Sequence, residues 1–249
     1  MDERELYLFD LQGYLAVEGI LTAGEVAELD GLFEGRVQAE VPADATTWRF
    51  GYPTSWSPLV RALVDHDRIR PYLEAILGPV YRIDHDYADL IRSGCGPIGC
   101  SLHGGGTPFS PIEYYDFRDG KPRSGLAVVA INLRDVGPLD GGFAAVPGSH
   151  KANVAFPQEW RDLAVERPFV RRVTGPAGTA VIFTEALTHG TLPWTGAGER
   201  RTIFLKFSPY PLSWHADYYD ISQFPELTDR QKLVFEAPNA RYGSRKRPS

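Results

Sequence analysis

From about residue 80 the chain breaks into short apolar runs separated by closely spaced glycine and proline clusters. No long helix survives that punctuation, whereas short strands joined by tight turns require it. The candidate strands are residues 80–91, 98–103, 125–133, 142–146, 169–173, 179–183 and 200–207. Gly94-Cys95-Gly96-Pro97, Gly137-Pro138-Leu139-Asp140-Gly141-Gly142, Gly175-Pro176-Ala177-Gly178 and Gly196-Ala197-Gly198 separate them. Many strands of this kind close into a sandwich or barrel.

The first third reads differently. Thr22-Ala23-Gly24-Glu25 is a capping box, and Val26, Leu29 and Phe33 then share one helical face. Ser57-Pro58 starts a second helical stretch, with apolar periodicity through Leu59, Leu63, Ile69, Leu73 and Ile76 and a stop at Gly78. The expected architecture is mainly β with a helical N-terminal layer, a jelly roll. Residues 1–249 read as one domain: 1–79 mainly helical, 80–210 the β-core and 211–249 a C-terminal segment.

Composition excludes several classes. The net charge of −6 disfavours nonspecific binding to nucleic acid. Arg241, Arg245, Lys246 and Arg247 form a local basic cluster that reads as a solvated tail. No apolar run is long enough for a membrane helix, and the charged start, Met1-Asp2-Glu3-Arg4-Glu5, does not read as a signal peptide. Cys95 and Cys100 match no zinc pattern and are expected as reduced thiols in a cytoplasmic protein.

Six histidines are available for chemistry. His66 and His85 sit in charged segments and read as solvated or locally hydrogen-bonded. His150 closes Pro147-Gly148-Ser149-His150 and reads as structural. His215-Ala216-Asp217 is a literal His-x-Asp, but no histidine follows it. His103 and His189 differ from these: each follows an apolar run and precedes a glycine, and they lie far apart in sequence. Arg200 and Arg201 open the last strand shortly afterwards. Strand alternation turns only one of the two inward, where a guanidinium can grip a carboxylate through two parallel hydrogen bonds. A histidine, a distant histidine and then an arginine form the skeleton of a mononuclear iron site fed by 2-oxoglutarate. In such sites a His-x-Asp aspartate normally supplies the third ligand. Here that position is Gly105.

At these residues the chain resembles the phytanoyl-CoA dioxygenase family of iron(II)/2-oxoglutarate enzymes. The opening segment Phe9-Asp10-Leu11-Gln12-Gly13-Tyr14-Leu15-Ala16-Val17 is similar to the family's start. Asp140-Gly141-Gly142-Phe143-Ala144-Ala145-Val146-Pro147-Gly148-Ser149-His150-Lys151 is similar to its central signature. The resemblance implies a double-stranded β-helix, the cupin-like jelly roll. It also implies His103 and His189 as iron ligands, Arg200 (Arg201 the alternative) as the 2-oxoglutarate clamp, and O2 as co-substrate.

The departure at Gly105 resembles the iron/2-oxoglutarate halogenases, which carry alanine or glycine there. In them chloride fills the vacancy and chlorine, instead of hydroxyl, is transferred to the substrate radical. Chlorination of an unactivated C–H bond is therefore the first expectation. A hydroxylase is the second and an inactive ligand-binding module the last, because an inactive site needs no co-substrate clamp. A carboxylate from Glu113, Asp116 or Asp119 is another way to complete the ligand set. For the small-molecule substrate, Tyr115, Arg118, Lys121 and Arg123 offer an aromatic face with cations, suited to a planar ring bearing phosphate or carboxylate. Trp214, Tyr218 and Tyr219 offer a second wall. Resemblance to freestanding nucleotide halogenases of nucleoside-antibiotic pathways suggests the sugar of a deoxyadenosine nucleotide. No carrier protein is expected.

Overall fold

The computed structural model describes residues 1–238. The basic cluster at Arg241, Arg245, Lys246 and Arg247 lies outside them. In chain order the main elements are α1 (Glu3–Gln12), β1 (Tyr14–Val17), α2 (Ala23–Glu40), β2 (Thr47–Gly51), α3 (Pro58–Ala62), α4 (Arg70–Leu77), β3 (Tyr81–Ile91), β4 (Tyr115–Arg118) and β5 (Lys121–Ser124). There follow β6 (Ala127–Asn132), β7 (Gly142–Ala145), β8 (Arg171–Arg172), β9 (Ala180–Thr184), β10 (His189–Leu192), β11 (Arg200–Pro209) and α5 (Asp229–Phe235). A six-stranded sheet has the order β1-β9-β6-β11-β3-β2, and a three-stranded sheet the order β10-β7-β8. Every pairing is antiparallel. The fold is a double-stranded β-helix with helices on one side.

Residue alternation sorts the large sheet into two faces. Ala127, Val129, Ile131, Ala180, Ile182, Ile203, Leu205 and Phe207 pack with Leu29, Phe33, Val37, Leu73 and Ile76 from the helices. Their neighbours Val128, Ala130, Val181, Phe183 and Phe204 point the other way, towards Phe143 and Ala145 of the small sheet. Helix α2 docks because Leu29, Phe33 and Val37 recur at four-residue spacing. Phe33 meets Phe50 and Trp56 edge-on, at 5.3 and 5.8 Å between ring centroids. Truncating Phe33 to alanine is worth about 3–5 kcal/mol.

The helix signals behave as the chain suggests. Thr22 caps α2 in a reciprocal pair with Glu25, Ser57 caps α3, and Gly78 ends α4. The helical N-terminal layer nevertheless contributes two strands to the large sheet, β1 and β2. β4, β5 and β10 were also not visible in the sequence. Each is four residues long, too short for alternation to stand out.

Two expectations need correction. Residues 98–103 are not a strand: only Ser101 and His103 form isolated bridges. Pro97 lacks an amide donor, Gly99 has φ +85°, and the two turn the chain too tightly for a ladder. Cys95 and Cys100 are not free thiols but a disulfide, their Cα atoms 5.0 Å apart across that tight loop. The expectation of a cytoplasmic setting leaned on reduced thiols and loses that support. No helix among the described residues is long and apolar enough to cross a membrane.

Candidate metal centre

His103 and His189 meet through their backbones first. The His103 amide donates to the His189 carbonyl at 2.8 Å, and the His189 amide returns the bond at 2.9 Å. In an antiparallel bridge, residues directly opposite send their side chains to the same side. The two imidazoles accordingly lie 4.3 Å apart between centroids. His189 is wedged between Phe183 at 4.7 Å and Phe143 at 5.8 Å, so the two sheets fix its ring plane.

The hydrogen bonds also fix the tautomers. His189 Nδ1 lies 2.7 Å from the Leu187 carbonyl oxygen and His103 Nδ1 lies 3.2 Å from that of Ser101. A carbonyl only accepts, so each Nδ1 carries the proton and each Nε2 keeps its lone pair. Burial pushes His189 down to about 4 and also lowers His103, so both stay neutral near pH 7. Two neutral imidazoles with backbone-anchored Nδ1 atoms are the state in which histidine ligates a divalent metal.

A cleft opens over this pair. Arg49, Tyr87, Asp89, Ile98, Phe143 and Phe204 line it beside the two histidines. The cystine loop contributes Gly96, Pro97 and Ile98 to this lining. Arg49 grips Asp89 through two hydrogen bonds of 2.7 Å and stacks over Tyr87, so its charge is neutralised in place.

The two arginines of β11 part company. Arg201 points to the helical side and is held by Asp30, Glu34 and Glu199. Arg200 faces the other way, is buried, and its Nε has no hydrogen-bond partner in the protein. Burial pulls its pKa down to about 10. It lies on the same sheet face as Phe204, which lines the cleft, with its guanidinium 6.0 Å from that ring. A buried, under-satisfied guanidinium on that face fits a dicarboxylate, which would supply the acceptors it lacks.

The glycine stretch is placed by packing. A Cβ on Gly104 would lie 2.5 Å from the Leu187 carbonyl oxygen and 2.8 Å from that of Glu185, and its φ is +72°. Gly105, at φ +121°, would aim a Cβ at Thr188 Oγ1, 3.1 Å away. It lines a small pocket with Thr107, Ser149, Phe156 and Thr188, separate from the histidine cleft.

Two charged residues went unread. Glu185 and Lys206 each interrupt an apolar run, which was the available signal. Glu185 Oε2 lies 3.9 Å from His189 Nε2, while its Oε1 forms an ion pair with Lys206 Nζ at 2.6 Å. Burial alone would raise Glu185, but the Lys206 ammonium and the neighbouring histidines hold it down at about 2. Lys206 is raised, because the attraction of Glu185 outweighs burial. In their present positions no group of three or more His, Cys, Asp or Glu among the described residues is set to hold a metal ion.

The remaining candidates lie elsewhere. Tyr115, Arg118, Lys121 and Arg123 fall on the β4–β5 hairpin and are not among the residues lining the cleft. Tyr115 packs on Phe9 and His150 and donates to Asp10. Arg118 pairs with Asp116 and Arg123 with Asp119 at the surface. Glu113 is half-buried, and burial raises its carboxyl with Glu185 close enough to add to the effect. His150 is buried and bonds the Asp10 carbonyl through Nε2. His66 bonds Glu25, and His85 bonds Asp84 while stacking on Trp214. His215 sits beside His85, away from the cleft lining. Tyr219 donates to Asp86, and Tyr218 faces Arg82. The second aromatic group thus packs around the acidic half of β3.

A double-stranded β-helix with a paired-histidine cleft and a buried arginine defines the class of fold to which the chain is similar. The model of the phytanoyl-CoA dioxygenase (PhyH) family matches residues 102–202, a span containing both histidines and Arg200. HygX from Streptomyces hygroscopicus, solved with nickel and 2-oxoglutarate bound, is 24% identical. The match covers 86% of this chain and 89% of that one, with a TM-score of 0.75. SnoN, a non-heme alpha-ketoglutarate-dependent epimerase from nogalamycin biosynthesis, is 19% identical over 84% of this chain and 83% of its own, TM-score 0.62. EctD from S. alaskensis with bound iron is 20% identical over 84% and 77%, TM-score 0.62. At these identities the likeness establishes the fold. No curated protein sequence matches the chain.

Proposed function

We propose that this protein is an iron(II)/2-oxoglutarate-dependent oxygenase that hydroxylates a C–H bond of a small molecule. The carrying observation is the bridged pair His103–His189, whose Nδ1 protons go to carbonyls and whose Nε2 lone pairs stay free. The match to the PhyH model and the nickel and 2-oxoglutarate held by HygX favour the same reading. His103 and His189 would hold the metal, and Arg200 would clamp the distal carboxylate of 2-oxoglutarate. Bound iron would supply O2 activation coupled to oxidation of 2-oxoglutarate to succinate and CO2. The chain's own part is to hold two neutral imidazoles in place, neutralise the co-substrate and wall the reaction with Tyr87, Phe143, Phe183 and Phe204.

Hydroxylation ranks above chlorination because Gly105 faces Thr188 and a separate pocket, where a chloride would not replace a ligand beside the imidazoles. Chlorination stays as the second reading on one observation: position 105 carries no carboxylate. A deoxyadenosine nucleotide rests on the resemblance to nucleotide halogenases, and the aromatic and cationic residues of the β4–β5 hairpin offered for it are not among the cleft-lining residues.

Anaerobic loading with Fe(II) and 2-oxoglutarate, with and without chloride, followed by O2, tests this. Succinate should form, and His189→Ala should lower its rate at least ~10³-fold, as loss of a group that acts as part of a unit does. Oxygen-dependent succinate from His189→Ala at the wild-type rate overturns the reading. Chlorinated product from a candidate substrate replaces hydroxylation by the second reading.

A further inference from the structure

We propose that Glu185 supplies the anionic third ligand of this metal site, with Lys206 as its counter-charge, in place of the carboxylate absent at position 105. The inference rests on the oxygenase reading and says how its ligand set is completed.

Three observations carry it. First, Glu185 has one oxygen towards His189 Nε2, at 3.9 Å, and the other on Lys206 Nζ, at 2.6 Å. Ligand atoms at right angles around an ion with bonds of about 2.1 Å are about 3 Å apart. On that measure Oε2 stands about 1 Å farther from His189 Nε2 than a shared metal would place it, a gap within reach of a three-torsion side chain.

Second, the glycine loop and Glu185 fit as one arrangement. Gly104 presses against the carbonyls of Glu185 and Leu187, and a side chain there would collide with both. That approach leaves residue 105 facing Thr188 Oγ1, at a φ unfavourable for an aspartate. The usual ligand position is thus turned away, while a carboxylate four residues before His189 stands beside the ring.

Third, the charges require it. Lys206 is half-buried on the sheet face that carries Phe204, with Tyr87 5.6 Å away. A divalent cation next to that ammonium with only neutral imidazoles would gather like charges in a dry space. Ionised Glu185 between them gives the metal a negative ligand and the ammonium a partner, and Lys206 fixes the orientation of the carboxylate as the carbonyls fix the imidazoles.

The test is anaerobic calorimetric titration of Fe(II) or Co(II), with 2-oxoglutarate present, into three proteins. These are the wild type, Glu185→Gln, and the double variant Glu185→Gln/Lys206→Met, which removes both partners of the ion pair together. The expected result is at least ~100-fold weaker metal binding in both variants, above the effect of disturbing a ligand's supporting partner. The double variant should keep its melting temperature, since a buried pair exchanged for neutral groups is close to neutral in stability. Double-variant affinity within about threefold of wild type overturns the inference and leaves the oxygenase reading standing. Wild-type protein that takes up no metal overturns both. Should the variants fail to fold, a crystal structure of the wild type with Ni(II) and 2-oxoglutarate decides directly. A Glu185 oxygen bonded to the metal supports the inference, and water or chloride in that position with Glu185 still on Lys206 overturns it.

Discussion

Arg200 and Arg201 are adjacent on one strand and buried to the same degree, yet they lead opposite lives. On the helical face, Arg201 is enclosed by Asp30, Glu34 and Glu199 and packs among Ile203, Leu205 and the ring of Phe33. On the cleft face, Arg200 carries an Nε with no protein acceptor, next to Phe204. The helical face satisfies its charges internally; the cleft face leaves valences for something else to fill. A two-residue repeat makes this possible, because consecutive side chains enter different environments without any change in backbone. Unmet polarity inside a well-packed fold is costly, so a buried arginine left without an acceptor beside a cleft marks where a ligand belongs.

The largest expected effect on this contrast is from Arg201→Met. It strands three carboxylates and should destabilise the fold by about 2–4 kcal/mol, somewhat below a fully buried pair because the acids are partly exposed. Denaturant unfolding measures it, while affinity for 2-oxoglutarate in the folded protein should stay unchanged. A weakened co-substrate affinity without loss of stability would erase the distinction between the faces. Arg200→Gln should do the reverse, raising the Kd for 2-oxoglutarate about 10–100-fold by removing a charged, bidentate donor. Its melting temperature should hold or rise, because an under-satisfied buried charge has been removed. Equal co-substrate binding by this variant would remove Arg200 from the site. The smallest effect belongs to Arg118→Ala with Arg123→Ala, which loses two exposed ion pairs worth less than about 1 kcal/mol in total. Metal and 2-oxoglutarate affinities should not change. A weaker co-substrate affinity in this variant would show that the hairpin reaches the cleft.

Much of the site is legible in the chain because its signals are local. His103 and His189 each stand between an apolar run and a glycine, and Arg200 opens a strand shortly after the second histidine. Glu185 and Lys206 are visible only as charges in apolar company, which does not say that they meet. The glycines are legible only in part. The chain shows that position 105 carries no aspartate, but not that the carbonyls of Glu185 and Leu187 stand against Gly104. Cys95 and Cys100 read from the chain as reduced thiols, whereas the turn at Pro97 and Gly99 brings them together as a disulfide.

The sequence by itself determined the punctuation into short strands, the capped helices at Thr22 and Ser57, and the order histidine, histidine, arginine. These depend on periodicity, cap chemistry and turn residues, which act over a few positions. Only the tertiary structure decided which arginine faces the cleft, that residue 105 looks away from the imidazoles, and that Glu185 lies beside His189. Those outcomes depend on strand register and on backbones brought together from far apart in sequence, and no local pattern encodes a contact closed by the packing of two sheets.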